Sequence, residues 1–222
     1  FLLRRRVPAV TGAVQPHQAF GEVGGGAAAG QIEPGDPPVE YYVEVFSLRD
    51  ILKDGNGFIS RIKPDGTILE RDWAKGFNSP TGMGLHDRTL YVADVDTLVA
   101  VGAASGSIKQ TYKADGAIFL NDVVVADDGT VYVSDTPMNT IWRLKDGVFE
   151  PWLTDDALNG PNGLLLEDGK LIIASLGRLK SVGQKQETAG LYAIDIEDKS
   201  VTPLGKPIGN LDGIDELKAG TY

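Results

Sequence analysis

From Val39 onward the chain alternates hydrophobic and polar residues in short runs, and each run closes on a turn dipeptide. β-Branched and aromatic residues fill the runs YYVEVF, FISRI, TLYVAD and TVYVSD, while Asp-Gly, Asn-Gly and Gly-Lys pairs punctuate them. Alternation sends successive side chains to opposite faces, so these runs predict half-buried β-strands of about five residues. No apolar set at helical spacing extends far enough to predict a helix.

The runs form a repeat. SPTGMGLHDRTLYVADVDTLVAV begins at Ser79 and FLNDVVVADDGTVYVSDTPMNTIWRL begins at Phe119. GPNGLLLEDGKLIIASLG begins at Gly160 and is completed by GLYAIDIED from Gly190, and NLDGIDELKAGTY begins at Asn210. Thr81, Asn121, Asn162 and Asp212 take the same place in successive units, at spacings of 40, 41 and 50, the last enlarged by an insertion between Leu176 and Ala189. A period of this length, made of several short strands, predicts an all-β β-propeller rather than a helical solenoid. The second unit reads as four strands: NDVVVAD, TVYVSDT, TIWRL and VFEPWLT. FISRIKPDG and TILERDWAKG read as the outer strands of an earlier blade, with YYVEVF inside it. About four to five four-stranded blades are expected, an incomplete ring of the six-bladed type.

Residues 1–38 have another texture. GEVGGGAAAGQIEPGDPP, from Gly21, is low in complexity and rich in Gly, Ala and Pro; such a segment buries little apolar surface and is expected to be loop or disordered. Its glycines are not followed by Gly-Lys-Ser/Thr, so they do not make a phosphate cradle. The basic opening and VPAVTGAV resemble an export signal, but Pro8 and Gly12 interrupt the apolar run. Localisation is open between cytoplasm and export. The expected organisation is a head over 1–38 and a propeller domain over 39–222.

Composition narrows the function. The net charge is -10, which disfavours contact with phosphate backbones, so no nucleic-acid partner is expected. No run approaches the roughly 20 apolar residues that cross a bilayer, so no membrane partner is expected either. The chain has no cysteine, which excludes disulfides, thiolate metal sites and a cysteine nucleophile. Of its two histidines, His17 lies in the head and His86 in a His-Asp turn; neither promises the positioned imidazole of a Ser-His-Asp triad. KDGNGFIS, from Lys53, mimics the middle of a calcium-binding loop, but Leu52 and Lys63 stand where its terminal oxygen donors belong, so it reads as a turn. Trp73, Trp142 and Trp152 are expected to pack between blades.

Candidate chemistry lies in the repeat position. Inner strands of successive blades line one channel, so Thr81, Asn121, Asn162 and Asp212 converge at one mouth. Two amide oxygens and a carboxylate suit a hard divalent cation, and the absence of His and Cys speaks against a zinc site rich in nitrogen or sulfur. An Asn or Asp before Gly is, singly, an ordinary turn former; three at one repeat position point to a site. Asp65-Gly66, Asp128-Gly129 and Asp168-Gly169 fall in interstrand turns and read as structural, and Asp94 and Asp135 read as turn caps.

At these residues the chain resembles the senescence marker protein/gluconolactonase/regucalcin-like family. FLNDVVVADDGTVYVSD, GPNGLLLEDGKLIIAS and NLDGIDE are similar to that family's successive inner-strand motifs, and the resemblance covers roughly Phe58 to Tyr222. It implies a six-bladed propeller with one divalent cation at the channel mouth, Ca²⁺ first, with Mg²⁺, Mn²⁺ or Zn²⁺ as alternatives. It also implies hydrolysis of a lactone or sugar-acid substrate. By position, Asn162 would be a metal ligand, Asp212 a ligand and general base, and Asn121 a substrate-binding residue. The family's first-blade glutamate, usually in a Glu-Gly-Pro context, has no such context here; Glu33 is the nearest candidate ligand, ahead of Glu40 and Glu44. The alternative function is a non-catalytic propeller that binds a small molecule, a metal ion or a partner. A third is a fragment without a competent site.

Overall fold

The computed structural model describes residues 53–63, 66–178 and 187–215, and the backbone of 41–45. The head over 1–38 lies outside the described residues. Among the described residues fifteen strands form four antiparallel sheets. The first contains β1 (Tyr41–Val45), β2 (Gly57–Ile62) and β3 (Ile68–Phe77) in that order. Three four-stranded blades follow: β4 (Pro80–His86) to β7 (Ile108–Lys113), with β5 (Thr89–Asp94) and β6 (Thr97–Gly102) between; β8 (Leu120–Val125) to β11 (Val148–Thr154), with β9 (Val131–Asp135) and β10 (Thr140–Lys145); and β12 (Pro161–Glu167) to β15 (Val201–Gly209), with β13 (Lys170–Ser175) and β14 (Ala189–Asp195). Every strand pairs with its neighbour in sequence. These are the up-and-down blades of an incomplete β-propeller.

Register follows from the turns. Asp168 and Gly169 both adopt positive φ, 46° and 74°, the two-residue hairpin that joins β12 to β13 and sets Glu167 opposite Lys170. In the second full blade the Asp128 carboxylate accepts the Thr130 N–H at 2.9 Å, closing the β8–β9 turn. Both Asp-Gly pairs are structural, as their spacing implied.

Blade faces pack through apolar clusters that draw on adjacent sheets. Trp73, Ile59 and Phe77 of the first sheet meet Met83, Leu90 and Val92 of the next. Trp142 joins Leu120 and Val133 to Ala93 and Leu98 of the preceding blade. Trp152 packs with Tyr132 and Ile141 against Leu164, Leu171 and Ile173 of the following blade, its ring edge-on to Tyr132 at 5.1 Å. All three tryptophans therefore sit between blades.

Strands β4, β8 and β12 lie side by side, while β7, β11 and β15 are largely exposed. The first strand of each full blade is therefore innermost. Pro80 pairs with Asp94, Leu120 with Asp135 and Pro161 with Ser175, so the start of each inner strand and the turn after the second strand share one rim. Residues 211–215 are not a strand. They rest against the third full blade through Gly163 N–H to the Asp212 carbonyl at 2.8 Å and Leu211 N–H to the Ser175 carbonyl at 3.0 Å, with no ladder of their own among the described residues. Among the described residues no helix is long and apolar enough to cross a membrane.

Candidate functional site at the channel rim

The repeat position is a physical register. Gly82 packs so closely on the next blade that a Cβ there would stand 2.5 Å from the Asn121 carbonyl oxygen and from the Asp122 Cα. Gly163 packs in the same way: its Cβ would stand 2.6 Å from the Asp212 carbonyl oxygen and 2.8 Å from the Gly213 Cα. Only glycine permits backbone to meet backbone at this separation. Positions 81–82, 121–122, 162–163 and 212–213 therefore step along one rim at one level.

The side chains at that level differ in their engagement. The Thr81 hydroxyl bonds to the Leu120 carbonyl at 3.0 Å, which makes it a link between blades. Asn121 is partly buried, and its Nδ2 donates to the Thr136 hydroxyl at 3.3 Å; that hydroxyl donates onward to the Pro161 carbonyl at 2.7 Å. This chain fixes the amide plane of Asn121. Asn162 is only 4% exposed, and its side-chain amide makes no hydrogen bond among the described residues; only its carbonyl is engaged, by the Ser134 hydroxyl at 2.7 Å. The amide therefore keeps its donors and acceptor uncommitted to the described residues, which leaves them available to a ligand at the rim. Asp212 is exposed.

These donors fit a hard cation in kind: amide oxygens on a rigid rim and one exposed carboxylate. Among the described residues no three His, Cys, Asp or Glu side chains gather as a metal cluster, so the charge of such a site rests on Asp212. Glu33 and Glu40 lie outside the described residues. Glu44 lies in β1 opposite Ile59.

Asp94 and Asp135 do more than cap turns. Each reaches back to the segment that leads into its own inner strand. Asp94 accepts the N–H groups of Asn78 at 2.9 Å and Ser79 at 2.6 Å; Asp135 accepts those of Ile118 at 3.1 Å and Phe119 at 3.3 Å. Burial pushes both carboxyls above the usual aspartate range, and these N–H bonds only partly offset it.

Three residues passed over in the sequence hold the rim together. Asp122 accepts the Leu164 N–H at 2.8 Å across the blade boundary, Ser134 links the Asp122 N–H to the Asn162 carbonyl, and Thr136 connects Asn121 to Pro161. A signal for Asp122 existed, since the other units carry Gly82, Gly163 and Gly213 at its position.

No family model matches the sequence, and no curated protein matches it. Solved structures do resemble the fold. Virginiamycin B lyase from Staphylococcus aureus aligns with a TM-score of 0.57 at 14% identity, over 79% of this chain and 56% of that one. A catalytically inactive form of that lyase with quinupristin aligns with a TM-score of 0.52 at 16% identity, over 77% and 53%. A luciferin-regenerating enzyme aligns with a TM-score of 0.53 at 12% identity, over 78% and 61%. The chain thus spans little more than half the length of these propellers, and at such identities the likeness is one of fold.

Proposed function

We propose that this chain carries the site of a metal-dependent hydrolase of lactones or related esters. The observation that supports it most is the rim itself: Asn121, Asn162 and Asp212, far apart in sequence, occupy equivalent places on adjoining segments, and the side-chain amide of Asn162 is not tied up in a hydrogen bond among the described residues. That the solved propellers of similar shape include enzymes by name agrees with catalysis on this architecture without specifying the reaction.

Asn162 and Asp212 would hold the cation, Ca²⁺ before Mg²⁺, Mn²⁺ or Zn²⁺. Bound there, a divalent ion supplies Lewis-acid polarisation of a carbonyl. Asn121, its amide fixed through Thr136, orients the ester group. The exposed carboxylate of Asp212 accepts the proton of the attacking water, for which it must stand within hydrogen-bond reach.

A second reading, a propeller that binds a small molecule or ion without turnover, is favoured by the single carboxylate among the described donors. Assay of the full chain against γ- and δ-lactones, with and without chelator, separates the two. Chelator-sensitive turnover supports the hydrolase; cation binding with no turnover on any lactone or ester supports the binding module and overturns the hydrolase.

A further inference from the structure

One blade of the rim breaks the repeat with apolar residues. Position 118 holds an isoleucine that is 47% exposed, where the equivalent places in the neighbouring blades are Asn78 and Asn159. Phe119 follows it, half-buried, where the neighbours have Ser79 and Gly160. In the turn beyond β9, Met138 is 42% exposed. The corresponding turn of the preceding blade is short and carries Asp96, bonded to Lys53 and Lys113. Large apolar side chains left in water at two adjoining places on one rim are unfavourable unless something covers them.

Both places are tied to the candidate site. The carboxylate of Asp135 accepts the backbone N–H groups of Ile118 and Phe119, and Asp135 itself stands three residues before Met138, at the start of the turn that carries it. The next residue, Thr136, holds the Asn121 amide. The turn is braced from its far side as well. The Asn139 side chain, itself buried, accepts the Gly160 N–H at 2.7 Å and donates to Asp156 at 2.9 Å. Ile118 and Met138 thus stand on anchored backbone, Ile118 three residues before Asn121 and Met138 two residues after the Thr136 that fixes it. An apolar surface held in place before a ligand arrives binds with little loss of conformational freedom.

Resting on the function proposed above, we infer that Ile118 and Met138 select the substrate, receiving an alkyl or aryl substituent of the lactone or ester, and that a polyhydroxylated sugar lactone is disfavoured. A polyol would need convergent donors and acceptors where this rim offers hydrocarbon.

The test uses the full chain and a series of γ-lactones that carry no substituent or linear alkyl chains of increasing length. Binding by ligand-observed NMR is read alongside turnover, so that absence of hydrolysis would count against the function proposed above and not against the apolar rim. Affinity is expected to rise roughly twofold per added methylene, less than full burial would give. Ile118→Asn restores the residue that both neighbouring repeats carry, so the blade should fold, and β-sheet circular dichroism checks that. In Ile118→Asn, and more so in Ile118→Asn with Met138→Ser, the rise with chain length should flatten and the preference for alkyl lactone over gluconolactone should fall at least fivefold. Ile108→Asn, an equally exposed isoleucine on outer strand β7, should keep both. Affinity independent of chain length in the wild type, or a slope unchanged in the double variant, would overturn the inference.

Discussion

The carboxylate of Asp122 accepts the backbone N–H of Leu164 at 2.8 Å, and so joins the inner strands of two neighbouring blades. Its other oxygen takes the N–H of Val123 at 3.0 Å. At the equivalent places the chain uses glycine and direct backbone contact. Removing the carboxylate by Asp122→Ala leaves the Leu164 N–H unsatisfied at a blade boundary, and should destabilise the protein by about 2 kcal/mol in urea unfolding. Asp122→Asn, whose amide oxygen can still serve one of the two donors, should lose about half of that. Equal stability of all three proteins would show that the bond contributes nothing.

Close approach at Gly163 suggests a sharper perturbation. A methyl group there meets the Asp212 carbonyl oxygen and Gly213 Cα, both backbone atoms with no rotamer to yield. Gly163→Ala should therefore push residues 210–215 off the third full blade at a cost of about 1–3 kcal/mol, and separate Asp212 from Asn162. Hydrogen exchange checks it: the Gly163 and Leu211 amides, bonded to the Asp212 and Ser175 carbonyls, should lose protection in the variant while β13 keeps its own. Unchanged protection at both amides would contradict the contact.

Asp94 and Asp135 give a pH dependence of defined sign. Burial raises both carboxyls in the folded state above the ordinary value of about 3.9. Each then binds more proton folded than unfolded, so its stabilisation is complete below about pH 3.9 and is lost as pH rises through its folded value. Asp96 and Asp128 oppose this. For Asp96 the hydrogen bonds of Lys113 and Lys53 outweigh burial, and for Asp128 the Thr130 N–H leads; both are lowered, and what they contribute is lost only as pH falls through values below the ordinary one. Above the ordinary value of about 3.9 the raised pair governs, and the urea midpoint should rise as pH is lowered toward it from neutrality. In the Asp94→Asn/Asp135→Asn double variant that rise should vanish. A rise of the same size in the variant would assign it to other groups.

Much of this architecture was legible in the chain because a propeller repeats its instructions. Alternation located the four strands of the Phe119 unit, and the spacing of Thr81, Asn121, Asn162 and Asp212 named a register that the packing of Gly82 and Gly163 realises. The difference between these residues was not legible. Thr81 spends its hydroxyl on the Leu120 carbonyl, whereas Asn162 is buried with no partner for its amide among the described residues; both read alike in sequence, because partners from another blade leave no local signature. Asp135 shows the same limit. Its place after YVS marks a strand end, but the lead-in at Ile118 and Phe119 that it gathers is brought there by the fold. A strand was expected to run through NLDGIDE, yet residues 211–215 are not a strand and rest on the third full blade through backbone bonds such as Gly163 N–H to the Asp212 carbonyl.

The most direct test of the rim is a thermal unfolding series in calcium. Chelator-treated full chain should gain roughly 5 °C in Tm at a calcium concentration about a hundredfold above its Kd. Asn162→Ala removes an amide that makes no hydrogen bond among the described residues, so without calcium its Tm should stay close to that of the wild type, yet it should gain little on adding calcium, and Asp212→Asn should also gain little. An equal calcium-dependent gain in the wild type and both variants, or no gain in any, would contradict a cation site built from these residues.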